Sequence, residues 1–316
     1  MSGKIKVSVV IPCYNVEEYV RDAVKSAFNQ NIKVRKVICV DDGSTDSTLR
    51  ILKDLESKHP QRLVVQTGPN RGGNFARNVG LKLSESDYIQ FLDADDVIEK
   101  DKIEHQVSLV ASANCTVDLV AGGFRYGASE GNSEVRRPGN ESDLVNLART
   151  ALGRTSSNLW RADSIRAVGG WNEDWESSQE YELMFRLIKS GGSILYDRRA
   201  KTWVRKREGS LTDNNNVSRF RTIVQLRGEV LEFARATEAP TPIIHKLEQA
   251  VFQAIRFLSF RSLPEAVEMH SKYIPDGFEL EEGRYPLIYA NLYKVLGFEK
   301  TEKIKSLMRS FFPERL

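Results

Sequence analysis

The chain has 316 residues, 46 basic and 43 acidic, for a formal net charge of +3. That balance excludes a general nucleic-acid binder, whose basic residues would gather into a strong patch, and the length allows one large domain or two modest ones. No run reaches the roughly 20 apolar residues that cross a bilayer, and the first residues lack the apolar stretch of a signal peptide, so a cytoplasmic location is expected. Cys13, Cys39 and Cys115 have no metal-ligand spacing and are read as buried free thiols of a reducing compartment.

In chain order, Lys4 to Ile11 is a β-branched run predicted as a strand that stops at Pro12. Glu17 to Asn29 carries a helical apolar face, and Val34 to Val40 is a second strand ending in Asp41-Asp42-Gly43. Ser44 or Thr45 is the predicted cap of the next helix, which has Leu49, Leu52 and Leu55 as its stripe. A strand at Leu63 to Gln66, a helix at Asn74 to Leu83 and a strand at Tyr88 to Leu92 follow. Next come a helix at Lys102 to Ala113 and a strand at Val117 to Ala121. Strands alternating with helices predict an α/β fold with a mostly parallel sheet covered on both faces, and ligands at the carboxyl ends of its strands. The polar, glycine-rich stretch from Gly127 to Asn140 is expected to be a surface loop or flap. Helical spacing returns at Ser178 to Lys189, and from Val217 onward it dominates. The expected organisation is therefore a domain over residues 1–216 and a helical C-terminal region over 217–316.

Asp93-Ala94-Asp95-Asp96 follows a nearly all-apolar strand. Three carboxylates in four residues repel one another unless solvated or given a cation. Magnesium or manganese takes one or two carboxylates together with substrate phosphates and waters, so the cluster suits a metal diphosphate. The plainer reading is a solvated turn with Asp96 capping the next helix. Asp41, at the end of its strand, can accept a hydrogen bond from a nucleobase imino group, whereas Ser44, Thr45 and Asp46 suit turn and cap roles. Pro12, Tyr14 and Asn15 offer a bend, an aromatic ring and an amide. Arg71-Gly72-Gly73-Asn74 enters a helix, where backbone N–H groups favour anions and Arg71 or Arg77 can supply charge.

Taken together, VSVVIPCYN (Val7 to Asn15), DDGSTD (Asp41 to Asp46), RGGNFARNVGL (Arg71 to Leu81) and YIQFLDADD (Tyr88 to Asp96) resemble the family 2 glycosyltransferases of the GT-A fold, in order and spacing. The resemblance continues through Gly169 to Gly191 and leaves out the C-terminal helices. It implies inverting transfer of a hexosyl or N-acetylhexosaminyl group from a nucleotide-diphosphate sugar, commonly a UDP-sugar, with Mn2+ or Mg2+ as cofactor. The acceptor would be a hydroxyl of a glycan, a lipid-linked sugar or a related molecule in surface polysaccharide or glycoconjugate synthesis. By that match Pro12, Tyr14, Asn15, Asp41, Asp93 and Ala94 surround the nucleotide sugar, Asp95 with Asp93 faces the metal, and Arg71 and Arg77 lie in the loop beneath the nucleotide.

Two positions depart from the family pattern. Relatives often carry Glu-Asp at the start of the later helix, with the Asp as base; here the pair is Gln179-Glu180, which makes Glu180 the candidate base, while Glu182 points elsewhere on the helix. Arg207 stands where many relatives have a metal-binding His, and arginine has donors only, so it cannot ligate a cation. Arg207, Arg205 or Lys206 can instead meet the diphosphate. Trp160 and Trp171, with Trp175, Asn158 and Glu173 nearby, are acceptor-side candidates, with burial in the core as the competing reading for the tryptophans. A sugar-phosphate nucleotidyltransferase and a catalytically degenerate nucleotide-sugar-binding subunit are the alternative functions. Ile304, Leu307, Met308, Phe311 and Phe312 make the last segment amphipathic, suited to packing on its own domain, to a second subunit, or to peripheral contact with the inner face of a membrane.

Overall fold

Each apolar run of the first hundred residues is followed by a helix long enough to return the chain to the same end of a sheet, which makes successive strands parallel. β1 (Val7–Cys13) lies between β2 (Val37–Asp41) and β4 (Tyr88–Phe91), and β3 (Leu63–Thr67) extends the sheet beyond β2, all in parallel register. The crossovers are α1 (Val20–Phe28), α2 (Thr48–Lys58) and α3 (Gly73–Leu83). α3 packs against β1 because Gly80 has no side chain; a Cβ there would sit 2.2 Å from a Val10 methyl carbon.

The computed structural model describes residues 5–129, 132–206 and 216–311. It divides into two units, Met1–Trp175 with Gln179–Asp213, and Glu176–Ser178 with Asn214–Leu316. In the first unit β5 (Val97–Ile98), α4 (Lys102–Ser112), β6 (Leu119–Ser129) and β7 (Asn132–Arg136) follow β4. Then come α5 (Asp143–Ala148), a 3-10 turn (Thr155–Ser157), β8 (Leu159–Arg161), α6 (Ala162–Ala167), α7 (Gln179–Lys189) and β9 (Ile194–Arg205). Among the described residues nine strands form one sheet in the order β3-β2-β1-β4-β8-β6-β9-β5, with β7 paired to β6. The α/β architecture predicted from the alternating pattern is the one observed. β6 and β9 are parallel, and β5, β7 and β8 pair antiparallel with their neighbours.

The structure corrects several expectations. β1 runs through Pro12 to Cys13. Odd-numbered residues of β1 face β2 (the Val9 amide donates to the Lys36 carbonyl), whereas the Val10 carbonyl accepts from Leu92. Pro12 therefore faces the side on which the β4 pairing has already ended, where no ladder donor is required. α2 starts at Thr48, later than its predicted cap, because Ser44, Thr45 and Asp46 are hydrogen-bonded to the loop after β1. The Gly127 to Asn140 stretch contributes the end of β6 and all of β7 rather than a loop; its polar composition belongs to an exposed β7 with no apolar alternation. Cys115 is exposed, while Cys13 and Cys39 are buried.

The second unit contains α8 (Val217–Ala236), α9 (Thr241–Ser259), α10 (Leu263–Tyr273) and α11 (Leu287–Phe311), the last interrupted at Gly297 with φ 74°. Phe252 sits at the centre of an aromatic cluster with His270, Phe278, Tyr285, Tyr293 and Phe298. The buried Glu302 accepts from Tyr289 Oη at 2.7 Å and Ser259 Oγ at 3.0 Å and pairs with Arg256. In the last helix Leu307 and Met308 are exposed, and residues 312–316 lie outside the described residues. No described helix is long and apolar enough to cross a membrane.

Burial lowers the His270 pKa from 6.5 to about 4, and its Nε2 lies 3.0 Å from the Tyr293 hydroxyl. The folded unit holds this ring neutral, so its contribution is present above the unfolded pKa and is lost as pH falls from about 6.5 towards 4. Acid titration of unfolding should show a decline of up to about 3 kcal/mol across that window, and His270→Phe should flatten that part of the curve.

Candidate functional site

The loops after β1 and β2 are laced to each other. Asn15, at φ 50°, accepts the Thr45 amide on Oδ1 at 2.8 Å and donates its own amide to Ser44 Oγ at 3.0 Å. Val16 donates to Thr48 Oγ1, Glu17 donates to Asp46, and the Glu17 carboxylate accepts from Ser47. The Asn15 side chain therefore shapes the rim of the site, and Tyr14 beside it is half exposed. At the end of β2, Asp41 is buried. Its Oδ2 accepts from Thr67 Oγ1 at 2.9 Å, and its Oδ1 has no hydrogen-bond partner among the described residues.

Asp42, to which no motif gives a role, accepts the Arg71 amide at 2.9 Å on one oxygen and the Gly72 amide at 2.7 Å on the other. The loop entering α3 is thus folded around an internal anion. The Arg71 guanidinium stacks 3.7 Å over Phe75 and meets Glu173 at 3.3 Å. Arg77 is buried one turn further into α3. It reaches Asp93 Oδ1 at 2.8 Å, and Asn74 Oδ1 and Gln179 Oε1 at 3.1 Å each, and lies 4.8 Å over the Trp171 ring. One guanidinium therefore joins α3, the turn after β4 and the start of α7.

In the turn after β4, the Asp93 amide donates to Ser156 Oγ at 3.0 Å and the Asp96 amide to the Asp93 carbonyl at 2.9 Å. Asp96 is buried and accepts the Arg205 amide at 3.1 Å instead of capping a helix. Burial, followed by the Asp95 and Asp93 charges, pushes its carboxyl well above the usual range. Asp95 and Asp93 stay partly exposed, and the Ala94 side chain is packed in the core, so Ala94 offers a ligand only its backbone. Below the turn, Gln90 donates to the Ser156 carbonyl and pairs with Lys102, a fully buried amine whose pKa burial lowers well below normal.

On the acceptor side, Glu180 lies in the first turn of α7, nearly buried, with Arg154 Nη1 3.8 Å from its Oε1. Glu182 is held on both oxygens by Arg186, at 2.6 and 2.7 Å. The tryptophan expectation is corrected. Trp160 and Trp171 are buried and pack against Phe91, at centroid distances of 6.4 and 5.2 Å, so neither presents a face to a sugar. Asn158 is also buried, bonded to the Gly122 amide and the Leu152 carbonyl. The Arg205 guanidinium turns to Asp22 at 2.8 Å, and Arg207 lies outside the described residues.

With this arrangement at the carboxyl ends of parallel strands, residues 8–167, half of the chain, match the profile of "Glycosyl transferase family 2". The chain belongs to that family. It is a glycosyltransferase, as the four motifs anticipated. An uncharacterized glycosyltransferase of Haemophilus influenzae is 29% identical over 209 residues, 66% of this chain and 82% of that protein. The putative teichuronic acid biosynthesis glycosyltransferase TuaG of Bacillus subtilis is 36% identical over 125 residues, 40% of this chain and 49% of that protein. Matches to other relatives span smaller parts, such as 13% of a minor teichoic acid biosynthesis protein. Staphylococcus aureus TarS, solved with UDP-GlcNAc, superposes with a TM-score of 0.60 at 18% identity over 96% of this chain and 92% of the other. A Pyrobaculum calidifontis mannosyltransferase, solved with GDP-Man and Mn2+, superposes with a TM-score of 0.60 at 16% identity over 99% and 89%. These likenesses identify the fold of this glycosyltransferase as GT-A.

Among the described residues no group of three or more His, Cys, Asp or Glu assembles into a ligand set. With Asp96 buried and Asp93 bonded through Oδ1 to Arg77, the donor set fits a cation held by one or two carboxylates and completed by substrate phosphates. Ser156 was not legible in the sequence, because its role depends on a turn more than sixty residues from the carboxylates it supports. Ser156→Ala strands the Asp93 amide, so denaturant unfolding should register a loss of about 1–3 kcal/mol, accompanied by weaker donor binding.

Proposed function

We propose that this glycosyltransferase moves a sugar with inversion from a uridine diphosphate donor to an acceptor hydroxyl, in the assembly of a surface polysaccharide. The observation that carries the donor reading is Asp41. A buried carboxylate oxygen without a partner costs about 1–3 kcal/mol, and the imino N–H of uracil is the donor it lacks. TarS with UDP-GlcNAc supports the same nucleotide, and the teichuronic acid relative supports the polymer class. Pro12 and Tyr14 flank the base position, and Asn15 and Asp42 hold the loops that shape it.

Asp95, with Asp93, would hold a divalent cation, which when bound neutralises the charge of the diphosphate. Arg77 fixes Asp93 and is itself held by three side chains, so its part is to orient the turn. Glu180 takes the proton of the acceptor hydroxyl as that oxygen bonds to the anomeric carbon. The bond from that carbon to the diphosphate oxygen breaks at the same time, and UDP leaves with the electron pair. Attack from the face opposite the leaving group inverts the anomeric centre.

Thermal-shift screening against UDP-, GDP- and dTDP-sugars, with and without manganese, should show the largest stabilisation with a UDP-sugar plus metal; a preference for GDP would remove the uracil assignment. Asp41→Ala should weaken UDP binding by calorimetry about 10-fold or more, the cost of one charge-assisted hydrogen bond. Glu180→Gln should keep donor affinity and lose transfer about 100-fold or more, read as UDP release in the presence of alkyl glycoside acceptors. Undiminished transfer would exclude Glu180 as the base.

A further inference from the structure

α7 carries two acidic residues in its first turn, each beside an arginine, and the two pairs differ in kind. Glu182 is clamped by Arg186 through two short hydrogen bonds that engage both of its oxygens. Glu180 meets Arg154 at 3.8 Å, an ion pair longer than a hydrogen bond, which fixes a charge beside the carboxylate without claiming its acceptor positions. Arg154 also lies in the field of Asp96, and its guanidinium is 5.9 Å from the centre of the Phe124 ring.

The backbone that carries Arg154 is fixed on all sides. Its amide donates to Ser157 Oγ at 2.8 Å, and its carbonyl accepts from the Ser157 and Asn158 amides. Gly153 before it has φ 78°, and a Cβ there would fall 2.3 Å from Asn158 Oδ1 and 2.6 Å from the Gly122 carbonyl oxygen. The Gly153 carbonyl accepts the Tyr181 hydroxyl at 2.7 Å, from the residue next to Glu180. Two residues after Arg154, Ser156 holds the Asp93 amide and hydrogen-bonds Asp96. One short turn thus touches the donor carboxylates through Ser156 and the start of α7 through Arg154 and Gly153.

We propose that Arg154 is a positioning residue that sets the Glu180 carboxylate relative to the donor site, with the Gly153-to-Asn158 turn as the template that fixes the spacing of the two halves. This rests on the reading of Glu180 as the base. Arg154 touches neither donor nor acceptor in this role; it orients the group that does.

The test uses the full chain with Arg154→Met, Arg154→Lys, Arg154→Ala and Glu180→Gln. UDP release from UDP-GlcNAc with alkyl glycoside acceptors gives kcat, calorimetry with UDP and Mn2+ gives donor affinity, and melting temperature reports folding. Misplacing a reacting group by about 1 Å costs on the order of 100-fold, so Arg154→Met should lower kcat by about that factor while the UDP affinity changes less than about threefold. Arg154→Lys should recover a substantial part of kcat, and added guanidinium should partly rescue Arg154→Ala, effects that a purely structural role would not produce. Unchanged kcat in Arg154→Met, or a matched loss of UDP affinity in Arg154→Lys at an unchanged melting temperature, would overturn the proposal. If Glu180→Gln retains full transfer, the base assignment itself falls; if Glu180→Gln is inactive while Arg154→Met is fully active, only the positioning role falls.

Discussion

The Arg77 guanidinium is the constraint from which much of the site follows. A buried cation is tolerable only when its donors are met and its surroundings compensate for lost water. Here Asp93, Asn74 and Gln179 engage the two terminal nitrogens and the Trp171 ring lies beneath, while Nε has no partner among the described residues. Each partner comes from a different part of the chain, so satisfying one arginine fixes α3, the turn after β4 and the entry to α7 together. Trp171 can support it because Phe91 and Trp160 hold the indole in place from the core side. The aromatic cluster is therefore tied to function through packing, although none of its rings faces a sugar.

A second anchor, the turn from Gly153 to Asn158, works through hydrogen bonds rather than charge. It sits above a buried polar layer in which Gln90, Lys102, Gln106, Asp197 and Thr202 bond to one another and to the backbone of the turn, with Gln106 Oε1 left without a partner among the described residues. Buried polar groups cost energy when unpaired and rigidify their surroundings when satisfied. The pairing explains why a lysine and two glutamines stand where apolar residues would otherwise fill the sheet face.

The strands of the first half, their parallel direction and the carboxylate turn were legible because each is written locally: β-branched runs, helical stripes, and acidic residues at a strand end. The same local logic failed where a polar segment was recruited into a sheet, as β7 was, since exposed antiparallel strands need no apolar alternation. It also failed for side chains whose meaning lies across the fold. Asp42 reads as a turn residue until Arg71 and Gly72 are folded onto it. Ser156 and Arg154 carry no motif at all. Trp160 and Trp171 are acceptor-side candidates by neighbourhood in sequence with core burial as the competing reading, and their packing against Phe91 is the core one.

The bonds from Asp42 to the loop amides have a consequence for how the loop can vary. Because its N–H groups at Arg71 and Gly72 are already spent on an internal anion, the loop contributes contour more than charge to whatever lies above it. Gly72 holds φ 95° and ψ 159°, a conformation essentially reserved for glycine, so its identity is dictated by the backbone path. The Arg71 side chain is exposed and stands outside that constraint. Two adjacent residues of one motif are thus under different physical constraints. At Arg71 the backbone sets no side chain and only the surface contacts to Phe75 and Glu173 hold it, whereas Gly72 is locked by geometry whatever the enzyme comes to transfer.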